Sequence, residues 1–238
     1  MIRSQLRHET RGPALTRLMA LAPLDEAALT ALGEAMQEAH AVRLRRDIIT
    51  EGREITQALL LLSGWAARVR LLPDGRRQFL SFLLPGDLIG ACDHPNALAV
   101  STVVAMSDVM VCPLPSAAVG TPLHIAYAIS RAMDEGHLLA QITRLGRLNA
   151  QERIGDLLLE LYERLTLSGS VSGNGFDLPL TQETLADALG LTSVHVNRML
   201  QQARREGDLN WRVGHVRLSD PAGLARKIGH VPVRVTAY

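Results

Sequence analysis

Short apolar runs separated by turn residues fill the chain from Val42 to about Pro115. Glycine and proline interrupt these runs at short intervals, and Asp74-Gly75 between two apolar segments is a hairpin signal. Regularly spaced short strands with this turn chemistry predict an antiparallel roll or barrel. The predicted strands include Val69–Leu72, Gln78–Leu83, Val100–Val104 and Val109–Leu114.

The segments before and after this region have helical or weaker patterns. Leu24 to His40 has helical periodicity, with Asp25 placed as the N-cap. Residues 1–19 are expected to be poorly ordered or loosely helical. The tail from Pro221 has no informative pattern.

A long helix is predicted from Thr121-Pro122 to about Leu148, with threonine as N-cap and proline at the first helical position. Along it, apolar and small residues alternate in steps of four and three, which is the spacing of a heptad seam. We expect the seam to pair two parallel copies of the chain, although packing on the chain's own roll gives a similar stripe. The seam positions are Ile125, Ile129, Ala132, Gly136, Leu139, Thr143 and Gly146.

Asn149 and Glu152 have the spacing of a capping box and start a further helix. The segment Ser168–Gly175 is rich in glycine and serine and predicts a flexible turn. A short strand, Phe176–Leu180, follows it.

A tight pair of helices is predicted from Thr181 to Gln202. Thr181 and Thr192 are suited to cap the two helices, and Gly190 to end the first. Ala186 is small, Gly190 comes four residues later and Val196 six after that, which is the spacing that two steeply crossing helices need. The stretch therefore predicts a helix-turn-helix with its second helix at residues 192–206.

The outward face of the second helix is polar and short, as a reader of the DNA major groove should be. An ordinary helical hairpin with a merely solvated outer face is the alternative interpretation. A helix-turn-helix needs a second copy to span two half-sites, which favours the dimeric interpretation of the seam. The outward residues are Ser193, Val194, Asn197, Arg198 and Gln201.

Trp211–Val213 and His215–Leu218 flank Gly214 and predict a two-stranded wing, on which Arg212 and Arg217 are placed to touch phosphates.

The net charge of the whole chain is only +1, so the global charge does not indicate nucleic-acid binding. Between Ser193 and Arg217, however, five arginines outnumber two acidic residues. Concentrated basic charge of this kind is what phosphate contact requires, although a short charged run is often only solvated.

Composition excludes several other classes. At 238 residues and 47% hydrophobic content the chain is large enough for one or two packed domains. Two cysteines make no disulfide framework, Met1–Arg17 lacks a signal-like apolar core, and no run is long enough to span a bilayer. We therefore expect a cytoplasmic protein without membrane contact. No nucleophile–base pair, metal-ligand spacing or phosphate loop indicates an enzyme.

The segments Gly75–Gly90 (GRRQFLSFLLPGDLIG) and Leu180–Thr192 (LTQETLADALGLT), followed by Val196-Asn-Arg198, resemble the cAMP receptor protein/fumarate-nitrate reduction regulator (CRP/FNR) family over residues 20–225. The resemblance implies an α+β protein. Its parts are an antiparallel β-roll like a cyclic-nucleotide-binding jelly roll (20–120), a dimerisation helix (121–148) and a winged helix-turn-helix domain (149–238).

The resemblance also implies a homodimeric transcription factor that binds a near-palindromic site in double-stranded DNA, with RNA polymerase as a candidate partner. The family's base-specifying positions fall on Ser193, Val194 and Arg198, with Asn197 adjacent. Arg198 matches the family pattern, and arginine is the usual bidentate partner of guanine. Ser193 and Val194 depart from the family pattern. The predicted DNA-binding set is Thr181, Thr192, Ser193, Val194, His195, Asn197, Arg198, Gln201, Arg212 and Arg217.

The candidate effector pocket comprises Leu88, Gly90, Ala91 and Cys92. Cyclic-nucleotide-binding relatives place a glutamate after the glycine, where this chain has Ala91, and no Lys or Arg occurs from Gln78 to Ser130. An anionic phosphate buried there would lack a counter-charge, so cAMP binding is not expected.

The iron–sulfur cluster of the oxygen-sensing members needs thiolates near the N-terminus, and no cysteine precedes Cys92. No cofactor is therefore predicted. A haem or redox role for Cys92, His94 or Cys112 is an open alternative, as is ligand-independent activity. The alternative function is a regulatory ligand-binding module that has lost DNA binding and uses its winged domain for protein contacts.

Overall fold

The computed structural model describes residues 12–212 and 214–235. Within them the chain forms two compact units. The first contains residues up to Val69, Phe82–Ala132 and Leu167–Gly169, and the second contains Arg70–Ser81, Met133–Thr166 and the chain from Ser170 onward.

The helices are α1 (Pro13–Leu21), α2 (Glu26–Gln37), α3 (Pro122–Arg147), α4 (Ala150–Leu167), α5 (Gln182–Leu189), α6 (Ser193–Arg205) and α7 (Pro221–Ile228). The strands are β1 (His40–Val42), β2 (Asp47–Ile49), β3 (Leu59–Ser63), β4 (Ala66–Leu71), β5 (Arg77–Leu83), β6 (Leu88–Ile89), β7 (Thr102–Ala105), β8 (Val109–Pro113), β9 (Gly175–Asp177), β10 (Leu209–Arg212) and β11 (His215–Leu218).

The predicted roll is present as two four-stranded sheets, ordered β1-β8-β3-β6 and β2-β7-β4-β5. Strands β3 and β8 pair antiparallel, with Leu60 opposite Cys112. Apolar side chains from both sheets form a core in which Leu61, Leu83 and Val111 are fully buried. The α+β architecture of roll, long helix and winged helix-turn-helix is confirmed. The domain limits drawn from the sequence stay a prediction.

Within the described part of residues 1–19, the helical alternative is confirmed and the poorly ordered one is wrong, because Pro13–Leu21 is a well-formed helix. Leu15 and Leu18 bury one face of α1 in the roll's core. Arg17 is also buried and forms an ion pair with Asp87 at 2.8 Å. Asp87 in turn accepts a hydrogen bond from the Leu84 amide and donates its own amide to the Leu84 carbonyl, which closes the turn between β5 and β6. Residues 1–11 lie outside the described part.

The helix starts predicted from capping residues are confirmed. Asp25 accepts a hydrogen bond from the Ala28 amide at the start of α2. At the start of α4, the Asn149 side chain accepts from the Glu152 amide while the Glu152 carboxylate accepts from the Asn149 amide. This reciprocal pair satisfies two of the amide groups that a helix start leaves without partners.

The wing is a three-stranded sheet ordered β10-β11-β9. Strand β10 begins at Leu209, two residues earlier than predicted, and Val213 lies outside the described residues. The tail from Pro221, which carried no informative pattern, forms helix α7. Proline at its first position and Gly229 in a left-handed conformation after its end were available signals for this helix.

Candidate nucleic-acid interface

The turn between α5 and α6 is built by residues that satisfy the helix ends. The Thr181 hydroxyl accepts from the Thr184 amide at 3.1 Å, and the Thr192 hydroxyl accepts from the His195 amide at 3.2 Å. Gly190 has φ +63° and ψ +37°, a left-handed conformation that an L side chain rarely adopts. Both caps and the glycine turn therefore lie where the sequence places them.

The facing sides of the two helices are apolar. Leu185, Ala186 and Leu189 on α5, with Val196 and Leu200 on α6, are almost completely buried. Burying these side chains fixes the rotation of α6 and so determines which of its residues face outward.

Long-range side chains also hold the C-terminal end of α5. The Ala188 carbonyl accepts hydrogen bonds from Gln141 at 2.7 Å and from Gln78 at 3.3 Å. The Leu189 carbonyl accepts from Arg153 at 2.9 Å. Helix ends leave carbonyl groups without partners, so these donors stabilise α5 where the chain turns toward α6. Sequence reasoning missed all three donors.

The predicted reading residues share one surface of α6. Ser193, Val194, Arg198 and Gln201 are exposed, and Val194 is 79% exposed. His195 and Asn197 are half-buried. Within the described residues, Arg198 makes no hydrogen bond or ion pair, so its guanidinium is available to an external acceptor.

Asn197 links α6 to the first residue of α5. Its Nδ2 donates to Oε1 of Gln182 at 2.9 Å, and its Oδ1 accepts from Nε2 of Gln201 at 2.8 Å. Gln182 was not among the predicted site residues. Its position at the start of α5, outside the second helix, left it without a signal.

The outer face of the wing carries the predicted Arg212 and Arg217, both exposed. Arg212 lies opposite His215 in the β10–β11 ladder. His215 also bonds to the Asp177 carboxylate, with 2.9 Å between Nδ1 and Oδ1. Because Val216 and Leu218 between these positions are buried, the polar residues are held on the outside.

Comparison with known proteins agrees with this geometry. Residues 39–121 match the cyclic nucleotide-binding domain family, and residues 152–227 match the Crp-like helix-turn-helix domain family. The chain is 31% identical over 195 residues to the transcriptional activator protein FnrL of Cereibacter sphaeroides, covering 77% of each protein. It is 32% identical over 168 residues to the nitrogen fixation regulation protein FixK of Bradyrhizobium diazoefficiens, covering 68% of this chain and 70% of that protein. The chain belongs to the CRP/FNR family of transcriptional regulators.

A solved structure supports the assignment. FixK2 from Bradyrhizobium japonicum is 25% identical and superposes with a TM-score of 0.68, covering 83% of this chain and 98% of that one. This chain is therefore a DNA-binding transcriptional regulator and not an enzyme.

The two acidic residues near α6 of this regulator share one cation from the same chain. Lys227 on α7 lies 2.6 Å from the carboxylates of both Glu206 and Asp208. The hydrogen bond from Lys227, with a further bond from Gln202, lowers the pKa of Glu206 to about 2. The arginines of α6 and the wing therefore dominate the local charge more than the residue count alone indicates.

The predicted dimer seam of the regulator is largely uncovered. Ile125 and Leu139 are 44% and 58% exposed, and Ile129 is half-buried. Gly136 is half-buried, and a Cβ built there would lie 2.5 Å from Cγ1 of Val233, so contact within the chain already explains the glycine. The other seam positions, Ala132, Thr143 and Gly146, are exposed.

The predicted effector residues lie partly in the interior of the roll and partly on the wall of a cavity. Leu88 is buried in the roll's core. Gly90 faces inward, where an added Cβ would lie 2.8 Å from Ile49. Ala91 and Cys92 instead line a cavity of about 340 Å³.

This cavity also contains Arg131, one residue beyond the segment that lacks basic side chains. Arg131 bonds to Asp93 at 3.1 Å and lowers the pKa of its carboxyl group. Cys112 is buried in the roll's core, where desolvation raises the pKa of its thiol to about 11. The effector, haem and redox interpretations stay predictions.

Residues 12–212 and 214–235 contain neither a metal-ligand cluster nor a membrane-spanning helix. None of these residues forms a group of three or more His, Cys, Asp or Glu arranged to hold a metal ion. No helix in this part of the chain has the length and apolarity to cross a membrane.

Proposed function

We propose that the regulator acts as a homodimer that reads a near-palindromic operator through α6 of each copy. The exposed outer face of α6 carries this proposal, with the Arg198 guanidinium at its centre and without a partner among the described residues. A single chain has one such face and so reads one half-site. Two copies related by twofold symmetry would cover two half-sites about one helical turn apart.

The residues of this face have distinct chemical roles in the proposal. Arg198 donates to guanine, as arginine does in the commonest base-specific contact. Val194 has no polar side-chain atom and packs on a thymine methyl group. Ser193 has a hydroxyl that donates to or accepts from either type of base edge.

Phosphate contacts position the helix in the groove. The exposed Thr181 and Thr192 lie at the amino ends of α5 and α6, where free amide groups and the helix dipole attract anions. His195 lies in the first turn of α6. Arg212 and Arg217 extend the cationic surface along the wing.

The exposed seam of α3 supports the dimer. An isoleucine and a leucine that remain about half exposed gain by burial against an equivalent helix. Ile142, which is 68% exposed, lies beside the seam and extends its apolar surface. Small residues at Ala132 and Gly146 allow two helices to approach closely.

We further infer that neither cAMP nor an iron–sulfur cluster switches this regulator. Ala91 replaces the glutamate expected from the resemblance, and the close approach of Ile49 to Gly90 fills the inner side of that loop. No cysteine precedes Cys92. The competing function, a module whose winged domain contacts proteins instead of DNA, predicts no salt-sensitive DNA binding at micromolar protein.

The dimer and its operator are tested together. An operator is first selected from random duplexes, and binding is then followed by fluorescence anisotropy over a salt series, with and without cAMP. Leu139→Glu places a charge in the seam and is expected to give monomers in sedimentation equilibrium. Affinity for the full site should fall by about 100-fold or more, because the second half-site no longer binds with the first.

Leu139→Met is the matched control, because it conserves volume and apolarity and should remain dimeric. Affinity of the parent protein should fall steeply with salt and should not change with cAMP. A Leu139→Glu protein that remains dimeric would contradict the seam assignment.

A further inference from the structure

Gln182, Asn197 and Gln201 form a chain of side-chain amides, here called the amide chain, on the surface that α5 and α6 share. Gln201 donates to Asn197 at 2.8 Å, and Asn197 donates to Gln182 at 2.9 Å. Gln182 and Gln201 are exposed and Asn197 is half-buried. The amide chain therefore lies among the residues proposed to face the major groove.

A side-chain amide has a donor end and an acceptor end, and the two bonds of the amide chain couple the three orientations. When the Asn197 nitrogen faces Gln182, its oxygen must face Gln201. Turning all three amides over restores both bonds with the opposite direction. Turning only one brings two donors or two acceptors together and loses a bond.

The amide chain consequently has two coherent states. In the observed state, Gln201 keeps its oxygen free as an acceptor and Gln182 keeps its nitrogen free as a donor. In the reversed state, the free groups exchange. Bases differ in the major groove by their donors and acceptors, with cytosine N4 and adenine N6 as donors and guanine O6 and thymine O4 as acceptors. The direction of the amide chain therefore favours one kind of base edge at Gln201, because the polar atom bonded to Asn197 has one site left and the other polar atom is wholly free.

We propose that position 182 is a positioning site: the hydrogen-bonding capacity of its side chain determines, through Asn197, which bases Gln201 accepts, without itself touching the base. This inference rests on the proposed function, since it requires α6 to read an operator. Glutamine at position 182 is compatible with both directions, so the parent protein should tolerate donor and acceptor bases at the position facing Gln201.

Gln182→Glu separates the two states. A carboxylate only accepts hydrogen bonds, so the Asn197 nitrogen must face position 182 and the Asn197 oxygen must face Gln201. The free group of Gln201 is then its oxygen. The variant should shift preference at one operator position toward adenine or cytosine by at least about fivefold relative to guanine or thymine.

Gln182→Asp is the matched control. It adds the same charge near the phosphates but is one methylene shorter and does not reach Asn197. Both acidic variants should bind all sequences more weakly, whereas only Gln182→Glu should change the ratio between bases. Gln182→Ala, which has neither charge nor bond, should have the same base ratio as Gln182→Asp.

The measurement is competitive anisotropy with the full-length dimer against operators carrying each of the four bases at every half-site position. Removing the end of the amide chain with Gln201→Ala should abolish the base shift caused by Gln182→Glu. A base ratio that is the same for Gln182→Glu and Gln182→Asp would overturn the inference while leaving the proposed function intact. Absence of operator binding by the parent protein would instead overturn the proposed function, and with it this inference.

Discussion

Two arginines, Arg144 and Arg198, have opposite surroundings in the second compact unit. Arg144 on α3 is almost completely buried, and its guanidinium donates to Gln141, Asp156 and Glu160. Arg198 on α6 is exposed and has no such partner among the described residues. The same side chain therefore stabilises the protein where the chain supplies the acceptors, and is available for a ligand where it does not.

Arg144 is at the centre of a buried ionic cluster that joins α3, α4 and the segment after α7. Burial raises the pKa of Glu160, but Arg144 and Arg164 outweigh it and the net pKa is lowered. His230 extends the cluster, with Nδ1 2.6 Å from Asp156. Every charge in this network depends on its neighbours, because none is adequately solvated.

Arg144→Ala should have the largest effect that the comparison predicts. It removes a guanidinium that bonds to both Asp156 and Glu160 in a buried site, which costs about 3–5 kcal/mol of the free energy of unfolding. Urea denaturation followed by circular dichroism measures this loss. Arg198→Ala is the control on the exposed side and should change stability by less than about 0.5 kcal/mol. Equal losses in the two variants would remove the distinction between the arginines.

Arg198→Ala should instead weaken operator binding, by about 1–3 kcal/mol, and relax preference at one base pair. The reason is that its guanidinium lies on the exposed face of α6 and has no acceptor among the described residues. Arg205→Ala is the control, since Arg205 is exposed at the far end of α6 and should lower affinity uniformly across sequences. Competitive anisotropy with base-substituted operators distinguishes the two outcomes. If Arg198→Ala discriminates bases as the parent protein does, the placement of α6 in the groove is wrong.

The exposed side of this comparison could be predicted from sequence because its determinants are local. Thr181, Gly190 and Thr192 fix two helix ends and a turn within twelve residues, and they identify the outward face of α6. The buried side could not be predicted, since the acidic partners of Arg144, Asp156 and Glu160, belong to another helix. Gln78 bonds near the end of α5 from 110 residues away, and no spacing rule connects such residues.

The helices near the two ends of the chain, α1 and α7, were not located from the sequence for a related reason. Helix α1 is short, and its buried Arg17 interrupts the apolar pattern that would have revealed it. The partner that makes this burial tolerable, Asp87, is seventy residues away. Helix α7 does have local capping signals, with Pro221 at its start and Gly229 after its end.

The smallest predicted effect is a pH dependence of stability, which should arise in the buried cluster around Arg144 and not on the exposed face of α6. Burial alone would lower the pKa of His230, but its hydrogen bonds to Asp156 and Glu163 outweigh burial and raise the pKa to about 9, from an ordinary value of 6.5. The folded state therefore binds a proton that the unfolded state releases. The stabilisation is complete below about pH 6.5 and is lost as pH rises through about 9.

The expected loss of stability over this window is on the order of 1 kcal/mol, because Glu163 is partly solvated and Asp156 keeps its bond to Arg144. Urea denaturation at pH 6, 7.5 and 9 measures it. His230→Gln retains a polar side chain without the titration, so subtracting its profile removes the contribution of other groups. Stability that declines equally in both proteins would exclude His230 as the cause. Arg198→Ala should follow the parent's pH profile, since the exposed face of α6 has no part in the cluster.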